Sequence, residues 1–157
     1  MGSSGFPGGR PGEDVLAEAR KRILCGKASC VVIRGKRIAW TASGHGVAPL
    51  LTLYERSPEL LKDAWVVDKV IGKAAAMLLV LGGAAGAYGV LMSDAALLYL
   101  KSHGLRADSG RRVSRILNRT GDGVCPMERA VADTEDPEEG YRLLKKAVGQ
   151  LRKSARP

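Results

Sequence analysis

Apolar and polar residues alternate along this chain with periods that change repeatedly, and the changes mark out its elements. From Glu13 to Leu24, the positions Val15, Leu16, Ala19 and Ile23 fall on one face at helical spacing, and "CGKAS" ends the run. "CVVIR" and "RIAWTA" are short β-branched or aromatic runs split by Gly35-Lys36, a hairpin signal. Pro49 opens a short helix, "PLLTLYER". Pro58 begins a brief turn, and "AWVVD" returns to extended chain.

Between Lys73 and Asp94 come 20 residues without a charge, enough to span a bilayer. Gly82-Gly83 and then Gly86 interrupt them, and glycines so spaced read as a helix stop and turn. "GKAAAMLLVL", almost wholly strong helix formers, is therefore expected as a helix buried on most sides, and "AYGVLM" as a buried strand. No membrane partner is expected.

Beyond this run, "SDAALLYLKSHG" is a helix capped by Ser93 or Asp94 and closed by Gly104. "LRAD" reads as a short strand, "RRVSRILNR" as a basic amphipathic helix and "TGDG" as a loop. "PMERAVAD" is a helix begun by Pro126, and "DPEEGYRLLKKAVGQLRKS" a last helix with Pro137 in its first turn. A hairpin followed by alternating strands and helices predicts an α/β protein, a three-layer sandwich around a mixed β-sheet. Residues 13–154 read as a single domain without internal repeat. Residues 1–12, with five glycines and two prolines, are expected as a leader that does not pack.

Composition adds little to the fold and more to the partners. The 157 residues are 45% hydrophobic and 26% charged, ordinary for a globular chain. Lys plus Arg number 25 against 16 Asp plus Glu, leaving +9, which suits an anionic partner or simple solubility. Aromatic residues at 4% leave few stacking platforms for single-stranded nucleic acid. Three cysteines (Cys25, Cys30, Cys125) and no secretory signal imply free thiols in a cytoplasmic setting.

Two stretches carry candidate chemistry. In "DKVIGKAAA" the Gly72-Lys73 pair suggests a phosphate loop, but Val67 and Ala74 stand where the Walker pattern needs Gly and Ser or Thr. "GGAAGAYG" follows a helix and does not space its glycines as a dinucleotide fingerprint. Lys69 and Lys73, four apart, are expected to share one face near a helix start, balanced by Asp68 or by an anionic ligand. The plainer reading is a solvated helix start with an Asp cap. In "GDGVCPMER", Pro126 at the first helical position places Cys125 at the N-cap and Glu128 at the third helical position, a capping box with sulfur for hydroxyl. A helix start lowers a thiol's pKa, Glu128 opposes that, and the plainer reading of Cys125 is a small buried hydrophobe.

Zinc held by Cys25, Cys30, Cys125 and a histidine is not expected, because Cys30 opens a strand and looks inward. His45, between two glycines, could work as an acid or base at a cleft mouth, although a lone loop histidine is usually only that. No metal and no cofactor is assigned.

"CVVIRGKRIAWTASGHGVAPLL", "DKVIGKAAAMLLV", "VLMSDAALLYLKSHG" and "ILNRTGDGVCPMERAV…EDPEEGYRLLKKAV" occur in this order, so that roughly residues 14 to 150 resemble a small prokaryotic family classed as a domain of unknown function. That family looks like a divergent branch of the cytidine deaminase-like fold. The most specific pieces are D-K-x-x-G-K-A-A, from Asp68 to Ala75, and C-P-M-E, from Cys125 to Glu128. The resemblance implies a mixed sheet sandwiched by helices, hairpin first. Working deaminases carry His/Cys-x-Glu at one core helix start and P-C-x-x-C at the next. Here the corresponding stretches read Asp68-Lys69-Val70 and Met92-Ser93-Asp94-Ala95-Ala96, so zinc-dependent deamination is not expected.

If the two helix starts converge as the resemblance implies, Asp68, Lys69, Gly72, Lys73 and Ser93 line one pocket for a small anionic or nucleotide-like metabolite. Lys69 and Lys73 hold negative charge and Asp68 orients them or acts as base. Cys125 serves as a thiolate nucleophile or redox group, with Glu128 as its proton partner. Two alternatives stand beside this. One is a non-catalytic ligand-binding or regulatory module. The other is a basic nucleic-acid binder using Arg106, Arg111, Arg112, Arg115, Arg119, Lys145, Lys146, Arg152 and Lys153. A homo-oligomer remains open.

Overall fold

The computed structural model describes residues 9–155. Of the leader read at residues 1–12, residues 1–8 lie outside the described residues. Arg10 pairs with Glu13 and Asp108 and stands over the Trp65 ring, and Pro11 is buried. The elements run α1 (Glu13–Leu24), β1 (Cys30–Arg34), β2 (Arg37–Ala42), α2 (Ala48–Arg56), a 3-10 turn (Pro58–Leu60), β3 (Trp65–Ile71) and α3 (Lys73–Gly82). They continue with β4 (Gly86–Ser93), α4 (Asp94–Ser102), β5 (Arg106–Val113), α5 (Pro126–Val131) and α6 (Pro137–Ala155).

Five strands form one open mixed sheet in the order β2-β1-β3-β4-β5. β1 runs antiparallel to both β2 and β3, whereas β3, β4 and β5 are mutually parallel. The Gly35-Lys36 hairpin forms as its sequence predicts, with Gly35 at φ 64. Parallel neighbours need a crossover, and α3 and α4 supply the two.

Each face of the sheet has its own core. On one, Leu16, Ala19 and Ile23 of α1 pack on Val31, Ile33, Trp65 and Val67. On the other, residues of α2, α3, α4, α5 and α6 meet Cys30, Val32, Val66, Ala87 and Met92. α3 is the centre of that layer. Its residues Lys73 to Leu79 are all buried, and it contacts α2, α4, α5 and α6. A helix without an exposed face reads as uniformly apolar, which accounts for half of the charge-free run. Gly83 ends it in the left-handed conformation at φ 76, and β4, flanked by β3 and β5, accounts for the rest. Among the described residues no helix is long and apolar enough to cross a membrane.

One expected element does not form. "RRVSRILNR" is not a helix. β5 continues to Val113, and the chain then runs as a loop closed by a bridge between Leu117 and Val124. Arg111 and Arg112 pair in register with Leu91 and Met92 of β4, and this ladder outweighs a helical pattern that only Val113, Ile116 and Leu117 supported.

Candidate site at the carboxyl edge of the sheet

In open α/β sheets, ligands bind beyond the carboxyl ends of the parallel strands. At this edge β2 leads into the Ser43–Val47 loop and α2, β3 into α3, and β4 into α4. Most of the candidate residues come to this edge, although not in the expected arrangement.

Asp68 and Lys69 belong to β3, not to a helix start, so the shared helix face for Lys69 and Lys73 does not exist. Successive strand residues point to opposite faces. Asp68 turns into the protein, while Lys69 is exposed and makes no ion pair among the described residues. Asp68 stands opposite Cys30 in the β1–β3 ladder, and both are buried. Burial pushes the Asp68 carboxyl up to about 7, against weaker opposing help from the Val70 N–H, the Cys30 thiol and the Lys69 N–H. The same burial, with the Asp68 charge beside it, pushes the Cys30 thiol well above its ordinary value.

Lys73 is the first residue of α3, and only 8% of it is exposed. Its Nζ donates to the Ala132 carbonyl at 3.2 Å and pairs with Glu135 at 2.5 Å, which fastens the α5–α6 connection to the start of α3. Helix starts leave backbone N–H groups unpaired, and here they are met from a distance in sequence. Glu128 accepts from the Lys73 N–H at 2.7 Å and from the Ala74 N–H at 2.9 Å. A negative charge is favoured at that end of a helix. Gly72 makes the approach feasible, since a Cβ there would stand 2.5 and 2.6 Å from the two Glu128 oxygens.

The expected capping box at Cys125 is therefore absent. Glu128 reaches across to α3, and the Cys125 side chain makes no cap hydrogen bond to its own helix. Cys125 is half-buried against the core, its N–H donating to the Ile116 carbonyl at 2.9 Å. Ser93 is the N-cap of α4, accepting from the Ala96 N–H at 3.1 Å, and Asp94 beside it pairs with Arg112. His45 is exposed in its glycine loop. Sequence reasoning missed the Cys30–Asp68 contact and Glu128 as the cap of α3. The one hint of the latter was Gly72, a residue type that permits close approach.

All three cysteines are free thiols, Cys25 exposed, Cys30 buried and Cys125 between. Among the described residues no group of three His, Cys, Asp or Glu side chains is placed to hold a metal ion. An exposed lysine, an inward carboxyl and a capped helix start can hold an anion or move a proton only where solvent or substrate reaches them. Asp68 and Lys73 are largely shut away.

The sheet and its two unequal helical layers define a mixed α/β protein with, among the described residues, a five-stranded open sheet and six α-helices. Within that class the chain belongs to the family described as a domain of unknown function, DUF1893 (TM1506), whose pattern matches residues 18–148. A crystal structure of a DUF1893 family protein (TM1506) from Thermotoga maritima superposes with a TM-score of 0.79 at 24% identity, covering 92% of this chain and 99% of that one. No curated protein matches.

Proposed function

We propose that this protein is a non-catalytic binding module with a cytidine deaminase-like fold, and that its partner is an anion of nucleotide chemistry. A hairpin-first sheet in the order β2-β1-β3-β4-β5, helices on both faces, supports the fold. The zinc chemistry of that fold finds no footing in the residues. Of the three helix starts at the carboxyl edge, α2 is led by His45-Gly46-Val47 without a glutamate, α3 by Gly72-Lys73, and α4 by Ser93-Asp94. None carries the thiolates or the glutamate that such a centre needs.

The Glu128 carboxylate on the first two N–H groups of α3 is the observation that carries the proposal. A helix start at this edge is a ready anion site, and the protein fills it from within. Lys73 is neutralised by Glu135, and Ser93 is committed to capping. The groups from which a catalytic pocket would be built thus hold the frame, while +9 of net charge remains for a partner.

The Cys-based enzyme stays as a second reading because Asp68, with a carboxyl near 7, has the proton affinity of a general acid or base at neutral pH. Alkylation of Cys125 against pH, read by mass spectrometry with Cys25 and Cys30 as references, separates the two. A binding module shows Cys125 reacting no more readily than the exposed Cys25 at every pH, unmoved by Asp68→Asn. Cys125 reacting well ahead of Cys25 at low pH, an advantage lost in Asp68→Asn or Lys73→Ala, overturns the binding module in favour of the enzyme.

A further inference from the structure

The positive charge of this protein is concentrated. Between residues 101 and 119 stand Lys101, Arg106, Arg111, Arg112, Arg115 and Arg119, all exposed, against the single acid Asp108. Asp108 is taken by Arg10, and Arg112 by Asp94. Arg106, Arg111, Arg115 and Arg119 have no ion-pair partner among the described residues. They lie on β5, the last strand of the sheet, and on the loop that continues it.

Charges on an edge strand also keep copies of a sheet from pairing, which explains Arg106 and Arg111 but not the loop arginines. The loop is built to hold still. Asn118 and Thr120 bind Asp122, the Asn118 N–H donates to the Gly123 carbonyl at 2.8 Å, and Leu117 bridges Val124. Arg115 and Arg119 are thus presented from an ordered frame, and little ordering cost remains on binding. Arginine's planar fork suits phosphate oxygens. Between residues 100 and 119 there is no Phe, Trp or Tyr, and the His103 ring is stacked on Tyr99, so this stretch offers few platforms for bases.

The geometry points to the β5 edge and the 114–119 loop as a surface that binds the phosphate backbone of a duplex polynucleotide, without regard to base sequence. It rests on the binding-module reading and names its partner. The test is fluorescence anisotropy on a short labelled DNA duplex and an RNA duplex of equal length, with single-stranded DNA and polyglutamate as competitors. Four phosphate contacts give a slope of log K against log salt of about −3.6 on DNA, roughly a 10²-fold loss between about 50 and 200 mM. Arg111→Ala/Arg115→Ala/Arg119→Ala should flatten the slope by about 2.7. Removing the α6 cations instead, in Arg142→Ala/Lys146→Ala/Lys153→Ala, should leave the slope in place. Binding to either duplex in this pattern supports the proposal, and the two duplexes tell DNA from RNA. No duplex binding at low salt, equal loss in both triple variants, or polyglutamate or single strands bound as tightly as duplex each overturns it. An activated Cys125 would defeat the binding-module reading and leave this slope unchanged, so the two failures are distinguishable.

Discussion

The start of α3 and the β5 rim are both places where charge gathers, and they treat it in opposite ways. At α3 each charge is answered from inside: Glu128 by two backbone N–H groups, Lys73 by Glu135 and the Ala132 carbonyl. At the rim, Arg106, Arg111, Arg115 and Arg119 are left to solvent. A group enclosed by the fold must find its partner there, because an unpaired buried charge costs too much. An exposed one need not, so unspent charge at a surface is available to a partner. The first region serves stability, and the second is the surface we propose for recognition.

Removing Glu128 should have the largest effect on stability. Glu128→Ala takes away two charge-assisted hydrogen bonds and should cost about 3 kcal/mol in urea unfolding. Gly72→Ala, whose new Cβ would push the same carboxylate away, should cost about 2 kcal/mol alone and almost nothing on top of Glu128→Ala. Independent, additive losses would show that the two do not act through one contact.

Asp68 tests the same enclosure through pH. Its carboxyl is raised from 3.8 to about 7, so the folded protein holds that proton more tightly than the unfolded chain. The stability this contributes is complete below about pH 4, falls as pH rises toward 7 and is lost above it. Asp68→Asn, which stays neutral, should gain on the native protein by about 2–3 kcal/mol between pH 5 and 8. Urea midpoints that run parallel for the two proteins across this range would sink the assignment.

Smaller effects mark the periphery of the site and the rim. Cys125 makes no cap hydrogen bond, so Cys125→Ser, which offers one while giving up some apolar contact, should change stability by less than about 1 kcal/mol. At the rim, Arg111→Ala/Arg115→Ala/Arg119→Ala should stay within about 0.5 kcal/mol of native stability while losing its salt-dependent duplex binding. A large destabilisation there would erase the contrast between the two regions.

The sequence was most legible where a local rule and the tertiary structure agree. α1, β1 and β2 begin and end where their patterns say, because amphipathic spacing and the Gly35-Lys36 turn are properties of neighbours in the chain. β5 was half-hidden. An edge strand with arginines at 106, 111 and 112 shows little apolar alternation, so only its pairing with β4 reveals it. The site was legible as a set of residue types and not as an arrangement. Lys69 and Lys73 sit four apart, a helical relation, yet a strand ends between them.

The amino-acid order by itself determined most of the elements, the buried course of the charge-free run, the caps at Ser93 and Gly83, and the excess of arginine. Each depends on contacts within a few residues or on composition alone. Only the tertiary structure decided that Glu128 meets a helix 55 residues earlier, that Cys30 lies against Asp68, and which arginines remain unpaired. Those outcomes depend on which surfaces are brought together when the sheet is covered, and one-dimensional spacing does not encode that.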